Sequence, residues 1–548
     1  VAVGWPYANG SLHLGHIAGA YLPADIFARF HRMIGDDVLM VSGSDTHGTP
    51  ITVRADAEGR APQDVVDEFH PEFLRYWREL GISFDLFTTT ATENHVAVTH
   101  DIFLRLMEHG YIYRATTSQL YDPQAQRFLP DRYVRGTCPH CGYEKARGDQ
   151  CDNCGRTLDP EQLINPTSTI TGAVPERRDT DHFFIRLSAF QEPLLEWLKS
   201  RQGWRKHVLN FSIGFVEEGL HDRAITRDLD WGIPVPVEDL GPGKCIYVWF
   251  EAVIGYLSAS KEWAQLRGDP EAWRAWWEDP EARGYYFIGK DNIPFHTIVW
   301  PAILMGYRGL NLPYDVPANQ YVTFKGEKAS KSEGVGDSVL AYLERYQADA
   351  IRYALAANLP ENSDTDLTEA EIVRRNNDEL VATWGNLVNR VLAMTQRNFG
   401  GVVPAPGQLD GRDKKLLEES EEMLKRAHGQ LEAVHLKGAL QTAMTFAQEA
   451  NAYLNETAPW KTAKSDPERT GTSLHVALCA INALKVALYP FLPFSSQQVH
   501  EYLGLAGDVS EGAWAAERLE PGTRLGKPEP LFKKIDVASS EGDSRLTA

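Results

Sequence analysis

The chain has 548 residues, 43% of them apolar and 24% charged, with a formal net charge of −20. That length exceeds one ordinary core, and the composition is globular rather than disordered or fibrous. No apolar run reaches the roughly 18 residues of a membrane span, no basic segment leads into a signal core, and net acidity excludes a uniformly basic surface but not local phosphate-binding patches.

Residues 1–3 are apolar and read as a strand; the chain begins inside it, so a few residues are expected upstream. Residues 11–34 read as a helix closed by Gly35 and kinked at Pro23. Residues 37–41 (DVLMV) read as a buried strand running into SGSDTHGTP, the βαβ opening of a doubly wound sheet with its ligands at the carboxyl ends of the strands. From about Tyr113 the sequence turns irregular and carries four clustered cysteines. CIYVWFEAVIGY and GYYFIGKDNIPFHTIVWPAI read as further strand–helix units, so one parallel sheet is interrupted by an inserted domain. After Glu369 the pattern is helical: Leu380, Trp384, Leu387, Val388 and Val391 form one apolar stripe, with Asn386 and Arg390 on the opposite face. Residues 400–408 read as a loop, and the polar tail beyond about Val537 as mobile.

Cys138, Cys141, Cys151 and Cys154 form C-x2-C-x9-C-x2-C, with Gly142 and Gly155 after the two pairs. Each pair can bite one metal, and a closed four-thiolate set suits structural zinc. The few cysteines overall fit a reducing compartment rather than a disulfide framework. His13 and His16 flank Gly15 at the expected helix start, where metal ligation, phosphate binding and an ordinary surface pair all stay open. A helix N-terminus favours phosphate. FKGEKASKSEG places Lys325, Lys328 and Lys331 close together, either as a solvated loop or as one that closes on a triphosphate.

Together, HLGH (His13 to His16) and KASKS (Lys328 to Ser332) resemble the two signatures of the class I aminoacyl-tRNA synthetases. PYANGSLHLGH, SDTHGTP, SQLYDP, FLPDR, the cysteine insertion, YVWFEAVIGY, FIGKD with its following FH and WPA, and APWKTAK occur in the order of the methionyl-tRNA synthetase family, over about residues 1–535. The resemblance implies an ATP-dependent ligase that joins L-methionine to tRNA(Met), initiator tRNA included, through methionyl-adenylate. It implies a methionine pocket of Trp5, Tyr7, Asp45, Trp249, Ala252, Val253, Tyr256, Asn292, His296 and Trp300, with Asp45 on the ammonium group. His13, Gly15, His16, Gly289, Asp291, Lys328 and Lys331 would bind ATP, with the two histidines and two lysines catalytic and Mg2+ on the phosphates. Asn386, Arg390 and Trp460 would read the CAU anticodon, although Trp460 after Pro459 also reads as a helix-packing anchor.

The expected organisation is a Rossmann-like doubly wound parallel sheet, an inserted zinc-binding connective domain and an all-α anticodon-binding bundle. Its expected segments are a first catalytic half (1–112), the insertion (113–228), the second half (229–322), a stem-contact region (323–375) and the bundle (376–548). A cytoplasmic monomer without membrane contact is expected, since no appended dimerisation module follows the bundle. Ala329 stands where the family usually has methionine, Trp5 where leucine is common, and Val253 and Asn292 where some relatives have proline and isoleucine. The alternatives are a class I synthetase for another aliphatic amino acid, against which the short insertion counts, and a non-catalytic tRNA-binding paralogue, against which the intact histidines, lysines and Asp45 count.

Overall fold

The structure is a computed structural model that describes residues 1–240, 243–324, 327–328 and 337–536, with only the backbone of Asp239, Phe324, Glu327 and Lys328. It contains two compact units. The first comprises Val1–Ser11, Leu39–Leu74 and Phe84–Ala318, the second Leu12–Val38, Arg75–Ser83 and Asn319–Ala548.

The first unit is built on a parallel sheet. Its central strand, Ala2–Val3, lies between Tyr286–Gly289 and Val41–Ser44, and Leu86–Thr89 follows on the far side. Strand order reverses about the first strand, which makes its carboxyl end the switch point of a doubly wound fold. The expected strand at residues 37–41 lies instead at Val41–Ser44. Gly43 belongs to it because the Trp5 ring lies against the backbone there: a Cβ would come within 2.3 Å of the indole. Cys245–Ile246 also departs from expectation, pairing antiparallel with Thr226–Arg227 in a separate two-stranded sheet.

Between the sheet halves, Ile112–Asp122 pairs antiparallel along its length with Glu176–Ile185. That ladder supports a small sheet of Val134–Thr137, Ala146–Arg147 and Ile164–Ser168, with its own core of Leu120, Leu129, Tyr133, Leu158 and Leu163.

In the second unit the expected first helix starts at Leu14 with His13 as N-cap, widens into a π-helical stretch at Ile17–Tyr21, and continues as Leu22–Met33. Pro23 sits in the first turn after the π stretch, where its missing N–H costs least, so the irregularity precedes the proline. The C-terminal part is helical. Pro467–Leu488 is long and apolar enough by composition to cross a membrane, and from Thr470 to Leu488 it lies buried, packed against Asn386–Phe399, Gly411–Glu432 and Leu436–Thr457. Leu380, Trp384, Leu387, Val388 and Val391 are buried, as their spacing requires. This unit also encloses a charged knot. Asp25 accepts from Arg29 Nε (3.0 Å), Arg352 Nη2 (2.7 Å), and the Ser83 N–H and O–H (2.7 and 2.6 Å). Arg352, fully buried, donates its other N–H groups to the carbonyls of Leu80, Pro490 and Phe491.

Candidate active site and metal centre

The pocket residues of the first unit cluster at the carboxyl ends of the parallel strands. Tyr7 and Asp45 pair as a parallel bridge just past their strands: Asp45 N–H donates to Pro6 O at 2.8 Å and Ala8 N–H to Asp45 O at 2.9 Å. Trp249, near the start of Val248–Leu266, donates its indole N–H to the Tyr7 hydroxyl. Trp5 is wedged between Gly43 and Gly255, where an added Cβ would come within 2.6 Å of the indole on either side. Glycine at both positions is what admits the larger ring.

Along the same wall, His296 Nδ1 lies 2.8 Å from Asn292 O and Nε2 lies 2.7 Å from Tyr256 Oη. A carbonyl can only accept, so Nδ1 carries the proton and Nε2 accepts from tyrosine. Burial pushes the His296 pKa down to about 4, which keeps the ring neutral. Val253 and Tyr256 are buried and Ala252 half-buried. Trp300 is fully buried, its indole N–H donating to Tyr286 Oη at 3.0 Å. The Asn292 residue is exposed, and its carbonyl is what orients His296. Gly289 ends its strand, and the Asp291 carbonyl accepts from Gln150 Nε2 at 3.2 Å.

Asp45 is 2% exposed. Burial, reinforced by the Glu251 charge, raises its pKa well above the ordinary carboxylate range; the His47 N–H (3.3 Å to Oδ1) and Arg132 pull the other way. A buried carboxylate of this kind is strongly favoured by a cation, and a primary ammonium supplies one.

The four cysteine sulfurs all lie within 4.8 Å of one another, with Cys138–Cys154 at 3.9 Å and Cys141–Cys151 at 3.6 Å. A tetrahedron with Zn–S near 2.3 Å puts sulfurs about 3.8 Å apart, so the donor set fits zinc. The two pairs fold alike: Gly142 N–H returns to Cys138 O and Gly155 N–H to Cys151 O, at φ of 74° and 70°. These are left-handed turns that glycine adopts without strain. Beside the cluster, Asp149 binds Arg132 at 2.9 Å, and Arg132 lies over the Tyr7 ring at 5.4 Å.

In the second unit, the His13 and His16 rings lie with centroids 3.8 Å apart and planes tilted by 36°, and the His13 N–H donates to His16 Nδ1 at 3.2 Å. His13 also pairs with Ser338, and a Cβ at Gly15 would meet the Val322 carbonyl at 3.5 Å. The HLGH turn therefore touches both flanks of the lysine segment. Glu327–Lys328 is a strand paired with Val322–Phe324. The Lys328 side chain lies outside the described residues, as do Lys325, Ala329 and Lys331. Farther along, the Arg390 guanidinium lies 5.0 Å from the Trp460 ring centre and donates to Asn455 Oδ1 at 3.2 Å. Asn386 is exposed, and Trp460 is 44% exposed, more open than a packing anchor would be.

Three residues of the pocket environment escaped the sequence reading: Glu251, His47 and His95. Glu251 Oε2 lies 3.0 Å from His47 Nδ1 and 3.5 Å from His95 Nε2. The only signal was an acid inside the apolar stretch YVWFEAVIGY, where a first-turn helix carboxylate is the ordinary reading.

Two family models match the chain: tRNA synthetases class I (M) over residues 1–392, and the anticodon binding domain of methionyl tRNA ligase over residues 403–545. The methionine–tRNA ligase of Roseiflexus sp. (strain RS-1) is 52% identical over 98% of this chain and 96% of its own length. That of Dehalococcoides mccartyi (strain CBDB1) is 54% identical over 99% and 98%. The crystal structure of Mycobacterium tuberculosis methionyl-tRNA synthetase bound by methionyl-adenylate superposes with a TM-score of 0.81 at 29% identity, covering 97% of this chain and 99% of that one. With identity above half over nearly the full length and both family models in order, the chain belongs to the methionyl-tRNA synthetases of class I.

Proposed function

We propose that the side chains described above divide between them the two steps of a methionine–tRNA ligase. The chain activates L-methionine with ATP to methionyl-adenylate and pyrophosphate, then transfers the methionyl group to tRNA, releasing AMP. In the first step the methionine carboxylate oxygen attacks the α-phosphorus in line, a P–O bond forms, and the bond to pyrophosphate breaks. No protein nucleophile is required; positioning and charge stabilisation carry the rate.

Asp45 holds the substrate ammonium. Tyr7, Trp249, Tyr256 and the neutral His296 surround the thioether side chain with polarisable rings and fixed dipoles. Trp5, Ala252, Val253, Asn292 and Trp300 complete the pocket by family position. Gly289 and Asp291 bind the adenosine end, and His13, Gly15, His16, Lys328 and Lys331 bind the phosphates, whose charge Mg2+ shares when ATP is bound. Cys138, Cys141, Cys151 and Cys154 hold a structural zinc. Asn386, Arg390 and Trp460 read the anticodon, arginine and asparagine by base-edge hydrogen bonds and tryptophan by stacking. Initiator and elongator tRNA(Met) share the CAU anticodon, so both are substrates. We take the enzyme to act as a cytoplasmic monomer in the segment order given by the sequence.

The single observation that carries the amino-acid assignment is the buried Asp45 beside an aromatic pocket, a carboxyl whose ionisation burial and Glu251 oppose and a substrate ammonium would favour. Pyrophosphate–ATP exchange tests it: methionine should support exchange, and isoleucine or valine should not. Exchange without methionine dependence would reject the assignment, and exchange without charging of tRNA(Met) would reject the second step.

A further inference from the structure

Behind Asp45 lies a buried cluster that the proposed reaction leaves unused. Glu251 is fully buried on Val248–Leu266, and its Oε2 faces His47 Nδ1 at 3.0 Å and His95 Nε2 at 3.5 Å. His47 is 8% and His95 1% exposed. His95 is held in turn by Ser258 Oγ, 2.7 Å from Nδ1, and that hydroxyl returns to Gly255 O at 3.1 Å. His47 is two residues beyond Asp45 and donates its backbone N–H to Asp45 Oδ1 at 3.3 Å. The loop is fixed from its other side by Trp231, whose indole N–H donates to Thr46 O at 2.7 Å.

We propose that Glu251 is the positioning residue of the amino-acid subsite: by anchoring the His47 side chain it aims the His47 N–H at Asp45, and its charge sets how readily Asp45 accepts the methionine ammonium group. The inference rests on the reading of Asp45 as the ammonium-binding carboxylate.

Two observations favour this role over a purely structural one. Glu251 Oε1 is buried without a hydrogen-bond partner, and so is the indole N–H of Trp5, whose ring lies 6.2 Å from that of His95. A cluster built only for stability would close these valences, because each open one costs about as much as a lost hydrogen bond. The charges are also unequal. His47 and His95 overcome burial and hold the Glu251 carboxyl below its ordinary value, while Asp45 beside it is pushed up. Glu251 is thus the carboxylate that stays ionised, and Asp45 the one whose charge responds to a ligand. The other titratable groups facing the cluster are Cys245 toward Glu251, Glu262 toward His95, and Arg132 and Tyr7 toward Asp45.

The test compares Glu251→Gln, Glu251→Asp and Asp45→Asn in methionine-dependent pyrophosphate exchange from pH 5.5 to 9, with thermal melts of each. Glu251→Gln removes the charge and keeps the shape. Its methionine KM should rise about tenfold with ATP KM within twofold of the parent, and the acid limb of kcat/KM for methionine should move about one pH unit lower, since Asp45 ionises more easily without a neighbouring charge. Glu251→Asp keeps the charge on a shorter arm, so KM should rise while the acid limb stays in place; it carries the test alone if the glutamine variant does not fold. Asp45→Asn should lower kcat/KM for methionine by roughly 30-fold or more, through a raised methionine KM. If Asp45→Asn keeps the parental methionine KM, the ammonium reading itself fails. If Asp45→Asn behaves as expected while either folded Glu251 variant keeps the parental KM, or the glutamine variant keeps the parental acid limb, the positioning role is overturned.

Discussion

Each unit buries a carboxylate among charged partners, and the two clusters are finished differently. In the helical unit, Asp25 receives two arginines and two serine hydrogen bonds, and the Arg352 donors also meet three backbone carbonyls. Burial opposes the Asp25 charge, but Arg29, Arg352 and Ser83 outweigh it and hold the pKa at about 2. In the sheet unit, Asp45 has one weak backbone donor and a second carboxylate beside it, and its pKa rises instead. A closed cluster spends its interactions on folding. An open one leaves its charge less compensated within the fold, at some cost to stability.

Arg352→Met should have the largest effect on folding. It leaves the buried Asp25 with Arg29 and Ser83 alone and unpairs three carbonyls, so the loss should be about 3–5 kcal/mol, read from denaturant unfolding. The acid dependence sharpens the point. A depressed carboxyl stabilises above its unfolded value near 3.8 and loses that contribution as pH falls through its folded value of about 2. The parent should lose ~2 kcal/mol between roughly pH 4 and pH 2 from this group, and Arg352→Met much less. An unchanged acid limb would mean that the knot is not what holds Asp25 ionised.

Removing zinc is expected to act more locally. Elemental analysis should find about one metal per chain. Chelation should abolish hydrogen-exchange protection in Val134–Thr137 and Ala146–Arg147, while Val41–Ser44 and Tyr286–Gly289 keep theirs. Equal protection before and after chelation would remove zinc from the account of the insertion.

Much of this was legible beforehand, for reasons particular residues make plain. The cysteine spacing announced a four-thiolate site because two short bites and two glycines leave few other uses for the pattern. The apolar stripe from Leu380 to Val391 announced a buried helix face, although not that Arg375–Gly385 is π-helical. The apolar DVLMV points to a strand that the structure places later, at Val41–Ser44, because Gly43 is chosen by the Trp5 ring across the sheet, a contact no local pattern encodes. Cys245–Ile246 reads like a core strand yet pairs in a separate two-stranded sheet, since pairing is set by tertiary partners. The place of Glu251 is not legible in the sequence because its partners, His47 and His95, are more than 150 residues away.

The smallest effect belongs to the exposed end of the helical unit. Trp460→Ala should weaken tRNA charging by roughly 1–3 kcal/mol through lost base stacking, with a much smaller change in methionine-dependent exchange and in melting temperature. Matching losses in charging and in stability would return Trp460 to a packing role.

The contrast between closed and open clusters is tested most directly by Asp45→Asn, with methionine-dependent pyrophosphate exchange and unfolding free energy measured on the same protein. Truncating a buried charge pair formed only with substrate should cost 2–5 kcal/mol in kcat/KM for methionine, roughly 30- to 5000-fold. Stability without methionine should stay the same or rise, since an uncompensated buried carboxyl is removed. A variant that activates methionine normally, or that loses stability as Arg352→Met does, would contradict the account.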